Sequence, residues 1–285
     1  MFELKTSKNI NGFDVNVFEL KSGHDELLRN TIKAKIQKIK LYQEAAHADL
    51  LPPTMSESFK KKFTQTVRDI CTPHDHKLKW FDVKRGFSTE FISQLLLERQ
   101  YNCIFHEEAD KKINLSPVNV DKQIPGIDVV GLQENQDDYK FVVCEIKASK
   151  EDNIPCTSAV DLLDDVKFAL ESDDRIAREI FQYIQGLSGT KDDSIQKIVT
   201  FLANLLLSRS SKDILLNQIV FFPFLIRNNA KILEENNLDD FSIFNPQDLQ
   251  NINLSGVIWS FNEDISDFCN NIYKEAIEEL KDAAQ

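Results

Sequence analysis

The sequence predicts an α/β protein: a small, partly buried mixed sheet flanked by helices, with additional helices towards both ends. Three observations carry this. Apolar runs of strand length recur at 141–147, 218–227 and 256–261. Between the first two, residues 158–171, 175–187 and 192–209 switch to a helical period. The third of these stretches sets Ile195, Ile198, Val199, Leu202, Leu205 and Leu206 on its apolar face. No internal repeat, low-complexity segment or long linker interrupts the 285 residues, a length that suits one large domain or a domain with an attached helical part.

Composition narrows the function classes. Acidic residues outnumber basic ones, 46 to 34, for a net charge of -12. Affinity for phosphate comes mostly from Lys and Arg, so this chain does not hold nucleic acid over a broad basic surface of its own. Either its binding surface is local or another subunit brings the substrate. No stretch approaches the roughly 18 consecutive apolar residues of a membrane span. The opening Met-Phe-Glu-Leu-Lys-Thr-Ser-Lys lacks the apolar region of a secretory leader. Cys71, Cys103, Cys144, Cys156 and Cys269 are odd in number and follow no framework spacing, which points to reduced thiols in a cytoplasm.

Taken in order, residues 12–21 alternate weakly and suggest a strand. A helix runs from about Asp25 to Ala46 with Leu27, Leu28, Ile32, Ile36 and Ile39 on one stripe, and Pro52-Pro53 ends that region. A second helix covers about Ser56 to Ile70, and its Lys60-Lys61-Lys62 run reads first as a solvated face. Cys71, His74 and His76 lack a second ligand pair at zinc spacing and read as a polar turn. Ser88 or Thr89 is a good N-cap for a helix from Thr89 to Gln100, with Phe91, Ile92, Leu95 and Leu96 on its apolar side. Tyr101 to Phe105 reads as a strand, and His106 to Lys112 as a polar loop. Pro223 inside the 218–227 run hints at an edge strand or a bulge. Residues 264–283 form a terminal helix with acidic exposed positions.

Two strands carry acid where a buried strand should not. Gly126-Ile-Asp128-Val-Val-Gly131 is followed, after a turn at Asp137-Asp138, by Phe141-Val-Val-Cys-Glu145-Ile-Lys147. Side chains alternate along a strand, so Glu145 and Lys147 share a face. Paired as a hairpin, the two strands bring Asp128 to them. Buried charge is costly unless paired or metal-bound. Hard divalent cations such as Mg²⁺ take one or two carboxylates plus water and substrate phosphate. Asp128 and Glu145 can supply the carboxylates, and the backbone carbonyl of Ile146 a third oxygen. Lys147 would position an attacking water or neutralise charge at phosphorus. The competing reading is an interstrand salt bridge from Lys147 to Asp128 or Glu145. Pro125-Gly126 turns the chain into the first strand and leaves Asp128 near an open end of the sheet. Glu90 can reach that end as an outer metal ligand, directly or through water. Its competing reading is a favourable contact with a helix N-terminus. Lys84, Arg85, Lys111, Lys112, Lys122 and Lys150 lie in loops next to this site and are the candidates for contact with nucleic acid, with solvated surface the alternative for each. Gly186-Leu-Ser-Gly189-Thr-Lys191 has neither the spacing nor the preceding strand of a P-loop. His106 reads as structural or as a support to the site.

A helix with Glu90, a strand, Gly-Ile-Asp128-Val, Val-Cys-Glu145-Ile-Lys147, a helix and a further strand resembles the PD-(D/E)xK nuclease superfamily over roughly residues 85–225. The motif's Pro stands three residues before Asp128 instead of adjacent to it. Arg85-Gly-Phe-Ser-Thr-Glu90, Phe105-His-Glu-Glu-Ala-Asp110-Lys-Lys112 and Gly126-Ile-Asp128-Val are similar to the HamA-type nuclease subunit of the Hachiman anti-phage defence system. That resemblance implies a restriction-endonuclease-like core and a Mg²⁺- or Mn²⁺-dependent DNA nuclease. It also implies a HamB-like superfamily 2 helicase partner, a hetero-complex that restrains the nuclease until abnormal DNA is sensed. The core would span 85–225, with 1–84 as a partner-binding extension and 226–285 as strand–helix elements packed on it. The rivals are a restriction-type endonuclease or RNase with the same site, and an inactive nuclease fold serving as a scaffold for a helicase.

Overall fold

The computed structural model describes residues 1–48, 51–71, 78–110, 126–135, 138–171, 173–190, 192–208, 216–227, 235–245, 247–249 and 252–282. The described strands are β1 (Phe2–Ile10), β2 (Phe13–Leu20), β3 (Cys103–Ile104), β4 (Val129–Asn135), β5 (Asp138–Ser149), β6 (Ile219–Arg227) and β7 (Asn253–Ser260). The helices are α1 (Asp25–Ala48), α2 (Glu57–Cys71), α3 (Leu78–Tyr101), α4 (Thr157–Glu171), α5 (Asp173–Leu187), α6 (Asp193–Leu207) and α7 (Ile265–Asp282), joined by short 3-10 turns at Glu107–Ala109 and Glu235–Phe241. The α/β class expected from the sequence is the class observed.

One mixed sheet runs through the molecule in the order β1-β2-β7-β6-β5-β4-β3. Its centre is parallel, β2 to β7 to β6 to β5, and hairpins β1–β2 and β4–β5 close the two sides. Alternation on β5 divides the core. Phe141 and Val143 pack against α4, α5 and α6, while Val142, Cys144 and Ile146 pack against α1, α3 and α7. Helices thus cover both faces, as parallel strands require. All nine residues of β6 are buried.

Four expectations change. Residues 2–10 form β1, which the sequence reading left unassigned. Only Phe2 and Ile10 are buried there, so the alternation that marks a half-buried strand is missing. The helix expected to start at Thr89 starts at Leu78, which puts Ser88 and Thr89 in its interior. Thr89 Oγ1 donates to the carbonyls of Arg85 (2.9 Å) and Gly86 (3.0 Å), so the hydroxyl that suggested a cap is satisfied inside the helix. Tyr101 is the last residue of α3, and the strand after it keeps only Cys103–Ile104. Pro223 lies in a central strand. Its missing N–H falls where pairing with β7 breaks, between Phe221↔Leu254 and Phe224↔Val257, while pairing with β5 continues through Glu145↔Pro223. The proline therefore marks an interruption and not an edge.

Cys103, Cys144, Cys156 and Cys269 are buried free thiols. Cys71 ends α2, and His74 and His76 lie outside the described residues. No described helix is long and apolar enough to cross a membrane.

Candidate active site

The expected hairpin is formed. β4 and β5 pair antiparallel from Val129↔Cys144 to Asn135↔Asp138. Asp138 opens β5, and Asp137 lies outside the described residues. Asp128 stands just before β4, where the ladder has ended. Its Oδ2 accepts from the backbone N–H of Ile146 at 2.8 Å. The carboxylate thus replaces the carbonyl that a longer β4 would have presented, and this fixes Asp128 beside the backbone that carries Glu145 and Lys147.

Gly126, two residues earlier, has φ 143°, a conformation that side chains disfavour. The backbone there is held by α5. Arg175 Nη2 donates to the Gly126 carbonyl at 2.8 Å, and the Ile127 N–H donates to Glu179 Oε1 at 3.3 Å. Arg175 and Glu179 are four apart on a helix and so share a face. One helix face grips two successive residues and delivers Asp128.

Glu145 continues the Phe141–Val143 side of β5 and is only 3% exposed. Arg175 Nη2 reaches its Oε1 at 3.0 Å. Burial, and then the neighbouring charge of Asp128, push the Glu145 carboxyl up to about 8, against the pull of Arg175 and Lys147. Lys147, on the same side of β5, pairs with Asp165 of α4 at 2.5 Å. Burial pulls the ammonium down, but Asp165, Asp128 and Glu145 outweigh it and hold its pKa above the ordinary lysine value. Lys147 therefore pairs with a helix residue, and not across the strands as the bland reading expected.

Glu90 lies half-buried in the middle of α3, a helix that touches β4 and β5 from the face opposite Glu145 and Lys147. It is twelve residues past the helix start, beyond the reach of the N-terminal dipole, which fades within a turn. Its Oε1 lies back over Gly86, 3.9 Å from where a Cβ would stand. Lys84 and Arg85 belong to α3 and not to a loop. Lys150 is exposed just past β5 and pairs with Asp264. Lys111, Lys112 and Lys122 lie outside the described residues. His106 supports the fold: its N–H donates to the Tyr183 hydroxyl at 3.2 Å, and its Nδ1 lies 2.9 Å from the same oxygen.

Among the described residues no three His, Cys, Asp or Glu side chains cluster as a ready metal cage. The donor set suits a cation that takes few protein ligands: two carboxylates at one hairpin end, one of them raised in proton affinity by its burial and then by the charge of the other.

Sequence reasoning missed Arg175, Glu179 and Asp165. One signal was available. Glu179 borders the apolar stripe of α5, one turn from Ile176 and from Tyr183, and all three are buried. A carboxylate in that position needs a partner from elsewhere in the fold.

The fold and site together define a mixed-sheet α/β protein that gathers two carboxylates and a lysine at the end of an antiparallel hairpin. A family model for HamA matches residues 2–283, nearly the whole chain, and the chain belongs to the HamA family. Membership makes it a component of Hachiman anti-phage defence. Comparison with curated proteins returns no match.

Proposed function

We propose that this chain is the metal-dependent DNA nuclease subunit of its defence system, of PD-(D/E)xK type, acting in the cytoplasm with a helicase partner. The observation that carries the reading is the convergence of Asp128, Glu145 and Lys147 on one hairpin end. Asp128 and Glu145 would hold Mg²⁺ or Mn²⁺ with the Ile146 carbonyl, whereas Glu90, expected from the sequence to order the ion's water, belongs to a helix on the other face of the sheet and takes no part. Such an ion lowers the pKa of a bound water and stabilises charge at phosphorus. Asp128 is pre-set for this by the Ile146 N–H. Glu145 keeps its geometry through Arg175. Lys147, steered by Asp165 and held cationic, presents an ammonium to the phosphate oxygens, where charge builds during hydrolysis. The net charge of -12 fits a subunit that receives DNA from a partner.

Glu145→Ala or Lys147→Ala should abolish cleavage, at least about a hundredfold, while circular dichroism remains that of the parent. Normal cutting by well-folded Glu145→Ala protein sinks the proposal. Plasmid, linear and single-stranded DNA, compared with RNA and with and without the helicase, distinguish it from a restriction-type enzyme or an RNase.

One observation favours a non-enzymatic scaffold instead. Glu145 and Lys147 already have helix-borne counter-ions in Arg175 and Asp165. Calorimetric titration separates the two readings, because a scaffold takes up neither Mg²⁺ nor Mn²⁺ at this site.

A further inference from the structure

Phe168 on α4 is 59% exposed, yet it lies beside the most buried acid of the candidate site. The Arg175 guanidinium sits over its ring, 5.0 Å from the centroid, and the same guanidinium reaches Glu145 at 3.0 Å. Asp165, three residues earlier on the same helix face, holds Lys147. The ring thus packs on one cation of the site, and the helix that carries it holds the other. Core packing does not need it: Val166, Ala169 and Leu170 bury the inner face of α4. The side of the ring away from the guanidinium is open to water.

We propose that Phe168 is a stacking platform for an unpaired DNA base next to the scissile phosphate, so that the substrate is single-stranded, flapped or frayed DNA. The assignment rests on the nuclease reading above. A base within a duplex already has both faces stacked, so only an unpaired or terminal base can use an exposed ring. Stacking on an aromatic side chain is tolerant of sequence, because every base has a π face. Arg175 holds one side of the ring and leaves the rest of its surface to the base. The Lys147 ammonium, about a third exposed, is the cation open to a neighbouring phosphate.

The test uses the protein in its native assembly with Mn²⁺. Cleavage rates on a single-stranded oligonucleotide and on a blunt duplex of the same sequence are measured for the parent, Phe168→Ala, Phe168→Trp and Phe181→Ala. Phe181 is an exposed aromatic on α5, about 120° round the helix from Arg175, and is the control. The single-strand to duplex ratio should fall about tenfold in Phe168→Ala, be retained in Phe168→Trp and be unchanged in Phe181→Ala. A 2-aminopurine in the single strand should be quenched on binding in Ca²⁺, and less so with Phe168→Ala. An unchanged ratio with normal cleavage overturns the platform alone. Loss of the partner chain from Phe168→Ala with the ratio unchanged also overturns it and makes Phe168 a protein contact. Absence of DNA cleavage by the parent on every substrate overturns the nuclease reading and the platform with it.

Discussion

One nitrogen of Arg175 donates to both the Gly126 carbonyl and the Glu145 carboxylate, at 2.8 and 3.0 Å. The residue that neutralises the buried acid of β5 is therefore the residue that holds the backbone leading to Asp128. Two acids from separate strands are set by a helix that follows both of them in the chain.

Removing that guanidinium should be costly. Arg175→Met leaves Glu145 buried without its ion partner and the Gly126 carbonyl without its donor. Above about pH 8, where Glu145 is ionised, the expected loss is about 3 kcal/mol in urea denaturation, and it is smaller at lower pH, where the carboxyl holds a proton. Glu145→Gln in the same background should restore much of it, because a neutral amide does not need the counter-ion. A double-mutant cycle measures the coupling, and additive losses would show that the two side chains do not act as a pair.

Glu145 also sets a pH dependence. Its carboxyl rises from an ordinary 4.5 to about 8 on folding, so the folded state binds a proton that the unfolded chain has released. Stability from this group is complete below the unfolded value and is lost as pH rises through the folded one. Between those limits the parent should lose up to about 1.4 kcal/mol per pH unit relative to Glu145→Gln, and the difference should level off above about pH 8. Denaturation curves for both proteins across that range check it. Parallel curves would mean that Glu145 stays ionised throughout.

Gly186 offers a test in which two effects oppose. Alanine is the better helix former by about 1 kcal/mol. At this position, however, a Cβ would meet the Ala109 Cα and the Glu108 carbonyl oxygen, each at 2.5 Å. Both are backbone and cannot swing aside. Overpacking of this kind costs about 1–3 kcal/mol, so Gly186→Ala should lower the melting temperature despite its propensity. A rise would show that the Glu107–Ala109 turn yields freely.

Much of the fold was legible because periodicity and burial agreed. Helices α4, α5 and α6 and strand β6 were found to within a few residues, since each buries a continuous apolar stripe or run. The β4–β5 hairpin was legible for the opposite reason: Asp128 and Glu145 break the apolar pattern and so call for an explanation. The first half of α3 was not legible. Arg85-Gly-Phe-Ser resembles a stop followed by a cap, and tertiary packing overrode that local signal, with Ser88 fully buried. The counter-ions were hidden differently. Asp165 and Arg175 lie on helices 18 and 30 residues beyond the side chains they pair with, and charge on a helix ordinarily reads as solvated face.

Helix α5 has a further consequence through its other end. Tyr183 and Gly186 seat the turn that ends at Ala109, while Arg175 and Glu179 seat Gly126 and Ile127. Both seats belong to one rod, and their contact points are roughly 6 to 16 Å apart at 1.5 Å per residue. A shift of α5 therefore moves the Glu107–Ala109 turn and the backbone that leads to Asp128 together.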